Sequence, residues 1–509
     1  MAAAAAPEPA PEPVTGPVTD PQLAPPGAGE PQRGTLAVLR VRDARVFFTG
    51  HALASVGTWM QSLAQDWLVL ELTGSASAVG LTMALQFLPV LLLGLHGGAV
   101  ADRFPKRRVL LVTQTATGLL SAVLAVLCLT GEVRPAHVYL LALAGGVVFA
   151  VDHPTRQVFV TELVPPGLLR GAVSLTAAVS QASRLVGPAT GGLLISTAGI
   201  GWAFAATAVC SLGPLLALVA VRSAAPAAVP VRAPGQLRQA LRHVAERPHV
   251  AWTVVLVGVV GTFGLNFPIV ISGMARTTFG GGADLYGLLQ VAVAAGSVTG
   301  ALLVAGRAST RLRLIVAMAA VFSLVQASAS LAPGAVAFGA VLFVMGATNL
   351  AFQAMAGSSV QLWVEPSVRG RVMGLYSLAL MGGTPVGAPL VGWVTEHHGP
   401  RAGLALCGLV PLVAALVVAA LVHRGSRPAR AAVPGAPAPA GTGGTGVRPA
   451  PRPRAVRSAL PVPTTSRRGS RAWRRASAAA AAERAVTAAA AAARPGRGPS
   501  RAARPRPRP

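Results

Sequence analysis

The sequence predicts an all-α membrane protein, with twelve transmembrane helices in two six-helix bundles arranged as a parallel repeat. Three observations predict it. Hydrophobic residues make up 53% of the chain and charged residues only 12%, about half the charged share of a soluble domain. Apolar runs long enough to cross a hydrocarbon core of about 30 Å recur along the chain. The second half also repeats the first: "PGLLRGAVSL" (166–175) aligns with "PSVRGRVMGL" (366–375), Gly187 with Gly387, and Gly192 with Gly392.

Residues 1–42 are rich in Ala, Pro and Glu, which predicts a disordered tail. No basic stretch followed by a short apolar one suggests a cleaved signal peptide, so the first helix is expected to target the chain. The first bundle, 43–222, holds apolar runs at about 46–70, 77–101, 108–130, 137–161, 169–196 and 201–222. A basic linker loop, 223–248, follows. The second bundle, 249–423, holds runs at about 249–273, 284–305, 312–331, 335–362, 371–395 and 402–423.

Residues 424–509 predict a second disordered tail, rich in Arg, Pro and Ala. It carries nineteen arginines and one acid, Glu483, and so supplies +18 of the net charge of +27. The high isoelectric point therefore reflects a tail rather than a basic folded face, and no nucleic-acid partner is expected. Residues 471–496 are candidates for contact with anionic lipid, where each arginine near the surface adds on the order of 1 kcal/mol. A passive tail is the first reading, and lipid contact is the alternative.

Basic residues in short loops set the orientation. Arg103, Lys106, Arg107, Arg108, Arg170, Arg222, Arg232, Arg238, Arg242, Arg247, Arg307, Arg311, Arg313, Arg369 and Arg371 follow the even-numbered runs, whereas the opposite loops carry only Arg134, Arg276 and Arg401. Both termini are thus expected in the cytoplasm of a multi-pass cell-membrane protein. Two like-oriented halves place a substrate site between them, near mid-membrane.

Enzymatic motifs are missing. There is no Walker lysine loop, no Gly-x-Ser-x-Gly elbow and no His/Cys cluster with metal-ligand spacing. Cys128, Cys210 and Cys407 each lie inside an apolar run and read as packing residues. No cofactor or metal is expected.

The residues Gly98-x-x-x-Asp102-Arg103-x-Pro105-Lys106-Arg107-Arg108 resemble the signature between helices 2 and 3 of the major facilitator superfamily. The resemblance covers about 45–423. "GTWMQSLAQDWLVLELTGSASAVGL" (57–81) and "AVDHPTRQVFVTELV" (150–164) resemble the exporter branch that includes enterobactin exporters and macrolide-efflux proteins. Gly187-Pro188-x-x-Gly191-Gly192 resembles the helix 5 signature of drug/proton antiporters, with Ser174 and Ser183 where that signature has glycines. "YLLALAGGVVFA" (139–150) lacks the arginine that many antiporters carry in the middle of helix 4. The resemblance implies the major facilitator fold and a role for the Asp102 loop in bracing an inner gate, the aspartate meeting helix 11 and basic partners.

Ionisable side chains at membrane depth are costly and become functional candidates. At 1.5 Å per residue, Asp66 lies roughly 30 Å beyond Arg45 on helix 1. His51, Thr58, Ser62 and Asp66 form a polar stripe at helical spacing, with Gln61 and Gln65 beside it. Either the stripe faces a cavity and Asp66 exchanges protons or meets a cationic substrate, or Asp66 pairs structurally at the boundary. Arg184 lies roughly 21 Å beyond Arg170 on helix 5 and is expected to reach Asp66, as a switch or a brace. Asp152 and Arg156 share a face of helix 4 at i,i+4. With Asp102, Arg103, Lys106 and Arg107 they are expected at the inner gate, as a charge relay or as a static ion-pair cluster.

The second half offers neutral polar groups, Thr262, Asn266, Gln290, Asn349, Gln353, Tyr376 and Thr384. With Gln86, these either contact substrate or join helices. Trp59, Phe87, Phe263, Phe267 and Met355 read as an apolar wall or as plain packing. Gly187, Pro188, Gly191 and Gly192 are expected to form a hinge in helix 5, because proline removes a backbone donor and glycine permits close packing.

Together these features predict a secondary transporter that exports a small amphipathic compound by alternating access, driven by a proton gradient and working as a monomer. An importer of the same fold and a non-transporting receptor or scaffold are the alternatives.

Overall fold

The computed structural model describes residues 35–221, 236–304 and 311–425, and its regular elements there are helices. The first half comprises α1 (Arg42–Thr73), α2 (Ala76–Arg103), α3 (Lys106–Leu129), α4 (Pro135–Leu163), α5 (Leu169–Ala198) and α6, which runs as Ile200–Cys210 and Leu212–Ala220. The second comprises α7 (Pro248–Thr278), α8 (Ala283–Val304), α9 (Leu312–Leu331), α10 (Ala335–Trp363), α11 (Pro366–Gly382 and Thr384–His398) and α12 (Pro400–Gly425). Ten of these segments are long and apolar enough to cross a membrane. α1 and α5, at 32 and 30 residues, are as long but more polar, which completes the set of twelve among the described residues.

The repeat seen in the sequence returns in the packing. Gly187 lets α5 press onto the backbone of α1 at Val56 and Met60, and Gly387 lets α11 press onto α7 at Thr262. Gly192 lies against Ala283 and Gly287 at the start of α8, and Gly392 against Ala76 and Ser77 at the start of α2. Each glycine therefore meets the repeat-equivalent partner. The first pair packs within a half, and the second pair packs one half onto the other.

α7 is not the continuous helix that its apolar run predicts. Pro268 has no N–H to offer the carbonyl of Gly264, so the helix widens into a π turn at Val260–Gly264 and restarts at Phe267. Side chains take over the freed carbonyls. Gln326 Nε2 donates to the Gly264 oxygen at 2.9 Å, and Asn266 Nδ2 donates to the Thr262 oxygen at 2.5 Å. α11 breaks similarly at Gly383, just before Pro385. α5 carries Pro188 inside an unbroken helix.

Two segments differ from expectation. The tail expected to be disordered to residue 42 is ordered from Thr35: Thr35–Arg40 is a short 3-10 helix whose Val38 is fully buried with Phe47, Phe159 and Leu163. The linker, expected as a loop, contains a helix at Gln236–Ala245, with Ala240 and Val244 buried at i,i+4. The expectations for residues 1–34, 223–235 and 426–509 lie outside the described residues.

Candidate functional site

The basic loops gather at one end of the bundle, here termed the basic end; the other is the neutral end. In the basic half of the bundle a polar cluster joins three helices. Asp152 on α4 pairs with Arg156 and accepts hydrogen bonds from Thr113 Oγ1 (2.6 Å) and Gln114 Nε2 (2.8 Å) on α3. Arg156 also donates to His51 Nδ1 on α1 at 2.8 Å. A guanidinium can only donate, so His51 Nδ1 is the acceptor and the ring carries its proton on Nε2. That Nε2 is buried without a partner.

Arg103 does not join this cluster, which corrects the expected relay. It lies over the ring of Phe104, 6.0 Å from the centroid. Lys106 instead pairs with Glu162 at 3.2 Å, and Arg107 donates to the Val219 carbonyl at 3.0 Å. The reason is depth. Glu162 stands ten residues beyond Asp152 on α4, roughly 15 Å closer to the basic end, level with the loop. The side chain of Asp102 lies outside the described residues.

At the neutral end, hydrogen bonds tie the halves together. Tyr286 on α8 donates its hydroxyl to Asp66 on α1 at 3.1 Å, receives Gln290 Nε2 at 3.1 Å, and stacks on Trp67. Arg276 of α7 donates to the Leu70 carbonyl, in the last turn of α1 before the left-handed Gly74 cap. Glu396 of α11 accepts from Ser75 Oγ (2.6 Å) and from the Ser77 backbone N–H (3.0 Å). A carboxylate at the first turn of α2 also complements the helix dipole.

The expected Asp66–Arg184 pair is not formed, again because of depth. Arg184 is level with Trp59, seven residues or roughly 10 Å short of Asp66, and its guanidinium covers the Trp59 ring at 4.8 Å.

α5 shows where the bundle opens. From Leu169 to Val186 only Ala172 and Ser183 are buried, whereas Gly187, Pro188, Gly191 and Gly192 all are. Positions seven apart share a helical face. Along one such face Ala177 is exposed, Arg184 is half-buried, and Gly191 is sealed against Met60. On the face that meets the other half, Ser174 is exposed, Gln181 is half-buried, and Pro188 packs on Gly287 of α8, so the junction between the halves is closed from Pro188 onward and looser toward the basic end.

The remaining candidates divide. Gln61 accepts from Ser121 at 2.7 Å and so joins α1 to α3, whereas Thr58 is exposed, with its hydroxyl bonded back to the Ala54 carbonyl of its own helix. Gln65 is buried with its amide nitrogen unpartnered. Gln86 is half-buried. Gln353 donates to Asn349 at 2.8 Å, and Tyr376 donates to the Gln353 carbonyl at 3.3 Å, forming a polar knot between α10 and α11. Asn266 is corrected: it is fully buried and repairs α7 instead of facing a cavity. Sequence reasoning passed over Tyr286, Glu162 and Glu396 and treated Arg276 only as a loop charge. The available signal was that Asp66 and Lys106 each require a partner.

A family profile described as transmembrane secretion effector matches residues 33–437. The enterobactin exporter EntS of Citrobacter koseri is 23% identical over 391 residues, covering 76% of this chain and 94% of that protein. The staphyloferrin A transporter of Staphylococcus aureus is 29% identical over 167 residues, covering 33% of this chain and 42% of that protein, less than half its length. Among solved structures, a point mutant of the nucleoside transporter NupG superposes with a TM-score of 0.60 at 12% identity, over 74% of this chain and 99% of that one.

Proposed function

The chain belongs to the transmembrane secretion effectors of the major facilitator superfamily, multi-pass membrane transporters rather than enzymes, and from that premise we propose that it exports a small amphipathic compound by alternating access. The basic end faces the cytoplasm in this reading, with both termini on that side. The observation that carries it is the asymmetry of the junction between the halves: Asp66–Tyr286, Arg276–Leu70 and Glu396–Ser75 link them at the neutral end, while α5 is exposed toward the basic end. That is the arrangement of a transporter loaded from the basic side.

Asp66 is the coupling residue in this proposal. It is a carboxyl group, 7% exposed, held by a single tyrosine hydroxyl across the junction. Gaining a proton would weaken its claim on Tyr286, and opening the neutral end would release the pair to water. The Asp152–Arg156–His51 cluster braces α1, α3 and α4 in the basic half of the bundle through both states. The named relatives handle siderophores, which makes an amphipathic chelator one candidate cargo.

Accumulation of a compound panel in inverted membrane vesicles tests direction, with accumulation expected and release from right-side-out cells into the medium as its counterpart. Under an imposed pH gradient Asp66→Asn is expected to lose gradient-driven transport. Undiminished transport in that variant removes Asp66 from coupling, and a tag at residue 235 reached from outside intact cells overturns the orientation.

A further inference from the structure

Arg184 is a guanidinium in the middle of a membrane helix without a carboxylate partner among the described residues. The other deep charges of the first half are engaged: Asp152 with Arg156, and Asp66 with Tyr286. Arginine keeps its charge in proteins, and a desolvated, uncompensated cation is costly. Trp59 covers one face of the guanidinium but supplies no acceptor for its N–H groups.

One turn toward the basic end, at i−3, Gln181 shares this side of α5, and its amide nitrogen is buried without a partner. Two sets of unmet donors therefore stand together. Their place is specific. The face holding Arg184 runs from exposed Ala177 to sealed Gly191, and the face holding Gln181 runs from exposed Ser174 to buried Pro188. Arg184 stands against the Trp59 ring, and Gln181, one turn nearer the basic end, lies on the face that leads to the Pro188–Gly287 contact where the halves close.

Resting on the export reading and naming its substrate class, we propose that Arg184 and Gln181 bind an anionic group of the cargo, a carboxylate or another planar oxyanion, with the apolar part of the cargo against Trp59. A guanidinium matches such groups with two parallel N–H bonds, which an ammonium cannot reproduce. Cationic amphiphiles are excluded from the apex by like charge. Asp66, roughly 10 Å beyond and sealed behind Tyr286, is not presented to the incoming ligand.

Three matched probes test this on the full chain in lipid nanodiscs: dansylglycine (a carboxylate), dansylglycinamide (neutral) and dansylcadaverine (an ammonium). Energy transfer from tryptophan to the dansyl group reads binding. Dansylglycine is expected to bind at least about tenfold more tightly than the other two, with Arg184→Gln erasing roughly 10- to 100-fold of its affinity and leaving the neutral probe unchanged. Arg184→Lys keeps part of the preference and controls for folding, and Gln181→Leu costs a few-fold. Absence of dansylglycine binding, equal binding of the three probes, or a preference that survives Arg184→Gln overturns the proposal. Counterflow of dansylglycine in proteoliposomes separates the two readings: charge-selective binding without counterflow retains the anion site and sinks transport, and counterflow without charge preference does the reverse.

Discussion

Replacing Tyr286 by Phe isolates the contact that holds the neutral end shut. Phenylalanine keeps the ring against Trp67 and removes only the hydroxyl. Two hydrogen bonds of 3.1 Å go with it, one to Asp66 Oδ2 and one from Gln290 Nε2. A hydrogen bond to a charged group contributes about 1.5–3 kcal/mol, and 3.1 Å places this one at the weak end. Both stranded groups regain water only when the neutral end opens. The closed form is therefore disfavoured by about 2 kcal/mol, roughly a 30-fold shift of the open–closed equilibrium. Spin labels on Leu72 and His398, exposed at the neutral ends of α1 and α11, report that equilibrium by electron–electron distance measurement in nanodiscs. A longer-distance population is expected to grow. A distance distribution identical to that of the parent protein would refute the reasoning, because the hydroxyl would then contribute nothing to closure.

Other consequences can be measured independently. Asp152→Asn strands Arg156 inside the α1–α3–α4 cluster and is expected to lower stability by about 3 kcal/mol, read as earlier thermal unfolding in detergent, without altering the Leu72–His398 distance. Gln326→Leu leaves the Gly264 carbonyl unmet; it should cost about 1–3 kcal/mol and speed amide hydrogen exchange across residues 260–266. Gly387→Val forces a side chain into the backbone of α7 at Thr262 and is expected to destabilise by about 1–3 kcal/mol or more, whereas Gly374→Val, with open space around it, should be near neutral by the same thermal assay. Ending the chain after Gly425 is expected to leave dansylglycine binding unchanged; lost binding would favour the scaffold alternative.

Much of the architecture was legible because membrane helices announce themselves by length and apolar content, and the repeat could be read residue by residue. Gly187/Gly387 and Gly192/Gly392 even pack on equivalent partners. What failed to show was local. Pro268 breaks α7 inside an apolar run whose hydropathy does not change, and the break shows in the backbone as a π turn repaired by Asn266 and Gln326. The charged site was half legible. Asp152 and Arg156 pair as their i,i+4 spacing implies, because that contact lies within one helix. Asp66, Arg184 and Lys106 meet Tyr286, Trp59 and Glu162, partners on other helices whose depth depends on where each helix starts and ends. An error of a few residues in a helix boundary moves a side chain by about one turn, roughly 5 Å, enough to exchange one partner for another.

For cargo to cross, the halves must part at the neutral end. The most direct measurement joins them there: S75C and E396C, at a pair of positions now hydrogen-bonded at 2.6 Å, are linked by a short bis(methanethiosulfonate), each thiol displacing a methanesulfinate to form a reducible disulfide, and dansylglycine counterflow is followed before linking, after linking and after reduction. Counterflow is predicted to stop when the ends are joined and to return on reduction. Counterflow that continues at its original rate through the joined protein would contradict alternating access through this end.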